Sequence, residues 1–107
     1  MKTCINKAAD CVTVTFFEDN RSIATAGMDF FDKEGEWVIS RVLVRESHRR
    51  KGLGRQLLLY LKENSGGCPI AVHPGGYDLS KEEQFSFYSH CGFVKRNHYA
   101  LVFTHLF

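Results

Sequence analysis

The chain has 107 residues, a formal net charge of +2, and 44% hydrophobic and 24% charged residues. This length predicts one domain over residues 1–107, and the composition is typical of an ordinary soluble globular protein. The net charge is too small to indicate nucleic acid or an acidic membrane as a partner. No apolar run approaches the roughly 20 residues that span a bilayer, and no signal-peptide apolar region follows Met1. No membrane partner and a cytoplasmic location are therefore expected.

The first half of the chain predicts antiparallel strands. Residues 11–17 alternate between apolar and polar side chains, as in a half-buried strand, and residues 3–6 form a short strand before them. Residues 22–31 resume strand character and residues 37–45 are rich in valine and isoleucine, so two further strands separated by polar turns are predicted. No helix of convincing length is expected before Arg49.

The second half predicts two helices and three strands. Leucines at helical spacing indicate a helix from Gly54 to the Asn-Ser-Gly-Gly segment at 64–67, and a strand at 69–72 and a loop at 73–78 follow it. A capping box formed by Ser80 and Glu83 opens the second helix, and strands are predicted at 93–96 and 99–107. The fold class is therefore α+β (α/β), with a single mixed, mostly antiparallel central sheet packed by two main helices.

Four cysteines raise the question of a metal site or a disulfide. No pair has C-x-x-C spacing, and no second pair has a histidine at zinc-ligand spacing, so reduced thiols and no metal site are predicted. Cys4 and Cys11 are candidates to face each other across an N-terminal hairpin, although a reducing compartment argues against a bond between them.

The junction between the 37–45 strand and the first helix is typical of an anion site. A helix start leaves backbone N–H groups unpaired and carries partial positive charge. Gly52 and Gly54 allow close approach of the backbone to a phosphate, and four cations surround them: Arg49, Arg50, Lys51 and Arg55. A Walker loop is excluded because its string is absent, and a dinucleotide fingerprint is excluded because Leu57 stands where the third glycine belongs.

The remaining match is R-x-x-G-x-G, formed by Arg49-Arg50-Lys51-Gly52-Leu53-Gly54. With this motif the chain resembles the GCN5-related N-acetyltransferase (GNAT) family, in which such a turn holds the pyrophosphate of acetyl-CoA. The later segment Phe87-Tyr88-Ser89-His90-Cys91-Gly92-Phe93-Val94 resembles the family's helix-to-strand segment. The resemblance covers roughly residues 37–96 and implies acetyl-CoA as the co-substrate.

The resemblance also implies residue roles. Tyr88 matches the tyrosine that protonates the departing CoA thiolate; the alternative is a buried aromatic with no chemical role. The expected cofactor-binding residues lie on the strand, where they pair with the pantetheine arm, and in the turn, where they wrap the pyrophosphate: Val42, Leu43, Val44, Arg49, Arg50, Lys51, Gly52, Leu53, Gly54 and Arg55.

The general base departs from the family pattern, because Val38 or Ser40 stands where family members place a strand glutamate. Glu36, Glu46 and His73 are nearby candidates, each with an ordinary structural alternative. A water chain or an amine already partly deprotonated would also suffice. His48 is read as an exposed loop residue that has a phosphate contact as its alternative.

The predicted function is transfer of acetyl from acetyl-CoA to a primary amine by direct attack in a ternary complex. The chain runs from strand to strand where family members carry two helices, so an open acceptor face suited to a lysine or N-terminal amine of a protein is predicted. The alternative is a non-catalytic acyl-CoA-binding or protein-interaction module. A narrower version resembles the phage anti-CRISPR acetyltransferases, to which residues 73–93 have some likeness. A nucleic-acid binder is disfavoured, and the apolar C-terminal strand is a candidate edge for a homodimer.

Overall fold

The computed structural model describes residues 1–75 and 80–105. Within these residues, seven strands form one sheet in the order β1-β2-β3-β4-β5-β7-β6. All neighbouring strands pair antiparallel except β4 and β5, which are parallel. The elements in chain order are β1 (Lys2–Lys7), β2 (Cys11–Glu18), β3 (Arg21–Phe31), β4 (Glu36–Val44), α1 (Leu53–Glu63), β5 (Ile70–Val72), α2 (Lys81–His90), β6 (Val94–Lys95) and β7 (Leu101–Phe103).

The core lies between one face of the sheet and α1. Val12, Val14 and Phe16 alternate along β2 and are fully buried, while the residues between them are only half-buried. This period of two places every second side chain on the helix-covered face. Tyr60 of α1 stacks edge-to-face on Phe16 with ring centroids 5.8 Å apart. The leucine stripe predicted for the first helix is buried: Leu53, Leu57, Leu58 and Leu61.

The opposite face of β2 and β3 stays partly open. Thr15 and Thr25 lie across from each other there, and their hydroxyl oxygens are 3.2 Å apart. Hydroxyl groups that hydrogen-bond to each other also tolerate water, so this threonine pair needs no apolar cover.

Strand β4 changes its partners along its length. Its parallel pairing with β5 involves only Trp37 and Val38, and β5 ends at Val72, so no strand among the described residues pairs with the last part of β4 on that side. A register shift opposite Gly27 leaves Ser40 as an extra residue, which is a β-bulge. The two central strands therefore diverge, and the end of β4 presents a free backbone edge.

The prediction of a strand over residues 99–107 is wrong in its length. Strand β7 covers only Leu101–Phe103, and Leu106 and Phe107 lie outside the described residues. Before the strand, the Tyr99 N–H donates to Asn97 Oδ1 at 2.8 Å and the Tyr99 side chain is 70% exposed. A side chain–backbone turn therefore takes the place of the first part of the predicted strand.

Two smaller expectations are also corrected. Strand β7 lies between β5 and β6 and is not an edge of the sheet, so it offers no free edge to a second copy. Cys4 lies opposite Thr15, whereas Cys11 lies beyond the paired part of β1, so the two cysteines do not face each other. All four cysteines are free thiols. Part of the predicted 73–78 loop, from Gly76 onward, lies outside the described residues.

None of the helices within residues 1–75 and 80–105 is long and apolar enough to cross a membrane. Over the same residues, no three histidine, cysteine, aspartate or glutamate side chains come together as a metal-binding group.

Candidate functional site

The connection from β4 to α1 is a tight turn. A single 3₁₀ turn at Glu46–His48 is followed by Arg50 with φ of 64° and by Gly52 with φ of 77°. Left-handed residues within a tight turn curl the backbone so that successive N–H groups face a common concavity, which favours anions. Glycine adopts this conformation without strain, whereas Arg50 adopts it at a cost. The turn thus has the backbone shape of an anion cradle.

The start of α1 adds unpaired donors to this turn. Gly52 is the N-cap, and no side chain caps the helix, so its first N–H groups remain available. The helix dipole places partial positive charge at the same point. In the described part of the chain, neither Arg50 nor Arg55 has a carboxylate partner. The site therefore combines backbone donors with formal positive charge.

Gly54 is needed because helix α2 comes close. A Cβ at this position would lie 3.1 Å from Cζ of Phe87 and 4.0 Å from Cγ2 of Val44. The second glycine of the motif thus serves packing between the helix start and α2, since its own φ is not left-handed. Phe87 in turn stacks edge-to-face on Tyr88, with centroids 5.1 Å apart.

Tyr88 is held on α2 by aromatic packing. Its side chain is 6% exposed, and its ring also stacks edge-to-face on Phe93 at 5.4 Å. Burial, with a smaller contribution from the nearby Cys91, raises the pKa of the phenol to about 12. No described residue hydrogen-bonds the Tyr88 hydroxyl. Every buried polar side-chain atom of the described residues has a hydrogen-bond partner, so the hydroxyl oxygen is not fully buried and remains accessible to solvent. A neutral phenol therefore points a free O–H group at an accessible space.

That space is a cleft of about 550 Å³ between the end of β4, the turn and α2. The residues that line it are Val42, Leu43, Val44, His48, Arg49, Arg50, Gly52, Leu53, Gly54, Arg55, Glu83, Gln84, Phe87 and Tyr88. Residues that are far apart in the sequence, in the turn and on the second helix, thus share one cavity.

The cleft is lined by Tyr88 and by every predicted cofactor-binding residue except Lys51. Four lining residues were not among the predicted site residues, although His48 had a phosphate contact as its alternative: His48, Glu83, Gln84 and Phe87. The last three lie at helical spacing on the same side of α2 as Tyr88, so helix periodicity was the signal that could have found them. His48 was read as an exposed loop residue, but its side chain is only 18% exposed and borders the cleft.

None of the three candidate bases lines this cleft. Glu36 forms a bidentate ion pair with Arg96, both N–O distances being 2.9 Å, and this hydrogen bonding lowers the pKa of the carboxyl. A carboxylate held in this way is a poorer proton acceptor. Glu46 and His73 are exposed, Glu46 in the 3₁₀ turn and His73 after β5.

Comparison with family models decides the family. Residues 9–95 match the model of the acetyltransferase (GNAT) domain. The chain belongs to the GNAT acetyltransferase family. Among curated proteins, no sequence matches this chain.

Solved structures of GNAT acetyltransferases share the fold. A putative GNAT-family acetyltransferase from Desulfovibrio desulfuricans superposes with a TM-score of 0.75 at 19% identity, covering 89% of this chain and 69% of its own. PaiA N-acetyltransferase from Thermoplasma acidophilum, in complex with coenzyme A, gives 0.72 at 17% identity, covering 90% and 62%. A putative streptothricin acetyltransferase from Bacillus anthracis, in complex with acetyl coenzyme A, gives 0.74 at 15% identity, covering 91% and 64%.

This GNAT chain thus spans about two thirds of the length of these neighbours. The predictions of the family, the fold class and an acetyltransferase domain are confirmed. Acetyl-CoA as the co-substrate is confirmed at the level of the family. The roles of the individual residues stay predictions.

Proposed function

We propose that this chain, acting as one domain in the cytoplasm, transfers the acetyl group of acetyl-CoA to a primary amine by direct attack. The observation that carries the proposal is the shared cleft. A turn built for anions and a tyrosine with a free hydroxyl, on separate elements, line the same cavity. An acyl transfer from a phosphorylated thiol carrier needs both features, one to hold the carrier and one to protonate its sulfur.

The turn would hold the pyrophosphate of acetyl-CoA. The backbone N–H groups at the start of α1 supply directional donors, while Arg50 and Arg55 supply charge. This arrangement suits a diphosphate, because several oxygens can be bonded at once without a dedicated side-chain pocket. Arg49 also borders the site, and its Nε donates to the Val44 carbonyl at 3.1 Å, which fastens the turn to the end of β4.

The free edge of β4 would bind the pantetheine arm. Val42, Leu43 and Val44 lie beyond the last pairing with β5, so strand β5 does not bond their N–H and C=O groups on that side. An extended amide-containing chain can add to such an edge as another strand would. This places the thioester near the point where β4 and β5 diverge.

Tyr88 would donate its proton to the departing thiolate. With its pKa raised to about 12, the phenol stays neutral throughout the physiological range and is present as the acid. The thiolate would form in the same desolvated cleft, where its own pKa also rises, and this brings the two groups closer in acidity. The amine nitrogen forms the new C–N bond as the C–S bond breaks, and it releases its own proton to water.

An open sheet face supports a protein amine as the acceptor. The side of the sheet away from α1 carries the Thr15 and Thr25 pair, and Leu43 of β4 is 48% exposed. No described helix covers β2 or β3 there, so a lysine or an N-terminus on a folded partner can approach without threading into a tunnel. A small amine would have few described side chains to enclose it on this face.

The test is transfer of labelled acetyl from acetyl-CoA to a panel of lysine peptides, folded proteins and small polyamines. We expect label on protein or peptide amines and a thermal stabilisation by CoA. Label confined to small amines would overturn the choice of acceptor, and absence of CoA binding would overturn the function.

One observation favours a second candidate, a non-catalytic acyl-CoA-binding module. Glu36 is tied to Arg96, and Val38 and Ser40 occupy the positions where a base would stand. The module predicts tight CoA binding with no acetyl transfer to any member of the same amine panel. The same experiment therefore separates the two candidates.

A further inference from the structure

We propose that Glu18, on the β2–β3 hairpin, is a positioning residue for the phosphate turn and acts through His48. This inference rests on the proposed function, because the turn is taken to hold the pyrophosphate. It assigns a role to a carboxylate that lies outside both sequence motifs of the family.

The turn has little hydrophobic packing to hold it. No residue of the 3₁₀ segment Glu46–His48 is buried, and residues 49–52 are exposed. Polar contacts to the β2–β3 hairpin take the place of a core. Arg45 donates through Nε and Nη2 to the Ser22 carbonyl at 3.2 and 3.1 Å, and its backbone N–H donates to the Ile23 carbonyl at 2.8 Å.

His48 is the side chain that joins the turn to the hairpin near the cleft. Its Nε2 lies 3.0 Å from Oε1 of Glu18, and its Nδ1 lies 2.8 Å from Oγ of Ser47. An ionised carboxylate can only accept, so the hydrogen on Nε2 points to Glu18. The imidazole also lines the cleft. The contact therefore fixes the orientation of a ring that borders the cofactor site.

The hairpin is a rigid base for this contact. Asp19 and Asn20 have φ of 52° and 64°, and Glu18 pairs with Arg21 across them. Left-handed conformation at both central residues is the two-residue turn that matches the twist of the flanking strands. Glu18 thus holds a paired strand position beside the turn, just after a β-bulge between Phe16 and Phe17, and does not lie on a loose loop.

The negative charge of Glu18 allows a positioning role to be distinguished from a purely electrostatic one. Hydrogen bonding to His48, with the charges of His48 and then Lys51, lowers the pKa of the Glu18 carboxyl, which is therefore anionic at neutral pH. A negative charge beside a phosphate site opposes phosphate binding by direct electrostatics. Removing it would tighten CoA binding if charge were its only effect, and would weaken binding if it positions the turn.

The experiment compares Glu18→Ala and Glu18→Gln with wild type, using CoA and S-acetylpantetheine, which lacks the pyrophosphate. We expect Glu18→Ala to weaken CoA binding about 3- to 5-fold, as for the loss of an exposed ion pair. The KM for S-acetylpantetheine should be unchanged. Glu18→Gln keeps an oxygen that accepts from Nε2 and should restore CoA affinity. Glu34→Ala, which removes one charge in the β3–β4 turn, is the matched control and should bind CoA as wild type does.

Two results overturn the inference while leaving the proposed function in place. One is CoA binding by Glu18→Ala that is as tight as wild type or tighter. The other is an equal loss for CoA and S-acetylpantetheine, which would indicate a general distortion. If wild type binds no CoA, the proposed function fails and this inference fails with it.

Discussion

Replacing Tyr88 by phenylalanine tests the proposed chemistry with two independent measurements. The ring packs on Phe87 and Phe93, and phenylalanine keeps these contacts. No described residue hydrogen-bonds the hydroxyl, so its removal should change the free energy of unfolding at pH 7 by less than about 0.5 kcal/mol. CoA affinity should likewise be unchanged, because the phosphate turn is untouched.

The magnitude of the pH effect follows from the raised pKa. The phenol ionises at 10.0 in an ordinary environment and at about 12 in the folded protein. Below pH 10 the tyrosine is neutral in both states, and its contribution to stability is complete. Between pH 10 and 12 only the unfolded state ionises, so wild type should lose about 3 kcal/mol of stability. Tyr88→Phe should not show this loss, and the difference between the two unfolding profiles isolates Tyr88 from the other alkaline groups.

The catalytic measurement is kcat for acetyl transfer. Loss of a positioned general acid should lower kcat by about 10²- to 10⁴-fold while CoA binding persists. A variant with the expected alkaline stability but with wild-type kcat would refute the acid role and leave Tyr88 as a buried structural aromatic. A variant whose alkaline stability equals that of wild type would refute the burial argument itself.

Three further substitutions test the supports of the site. Gly52→Ala places an alanine in the left-handed conformation, so it should lower the free energy of unfolding by about 1 kcal/mol and weaken CoA binding. Gly75→Ala is the control and should have neither effect, because Gly75 has no left-handed φ and open space around the added Cβ. Ser80→Ala removes the capping box of α2 and should lower stability by about 1 kcal/mol in thermal or denaturant unfolding. Glu36→Gln should cost about 1 kcal/mol at pH 7. Because the ion pair lowers the pKa of Glu36 in the folded state, the difference from wild type should begin to shrink as the pH falls below the ordinary carboxyl pKa of 4.5 and vanish once the pH passes below the lowered pKa.

Each of these has an outcome that would contradict it. Equal effects of the two glycine substitutions would show that backbone conformation is not what the turn requires. An unchanged melting temperature for Ser80→Ala would mean that the start of α2 contributes nothing to stability. A difference between Glu36→Gln and wild type that persists at low pH would mean that the side chain acts through packing and not through its charge.

Much of the fold was predictable because its signals are local. Alternating side chains identified β2, the leucine stripe identified α1, and the Ser80 and Glu83 pair identified the start of α2. The anion turn was predictable for the same reason, since two glycines, four cations and a helix start are all read within a few residues. Even the misjudged last strand had a local signal, the Asn97 to Tyr99 turn, which strong apolar alternation obscured.

The assembly of the site was decided only by tertiary structure. The divergence of β4 from β5 after Val38 depends on where a short strand docks, which no local pattern states. Phe87 reaches Gly54 only because α2 packs against the start of α1. Glu18 meets His48 across 30 residues, and Glu36 meets Arg96 across 60. Local propensity and periodicity act over a few residues, so the sequence by itself determined the elements and the phosphate turn. Long-range packing determined which side chains share the cleft.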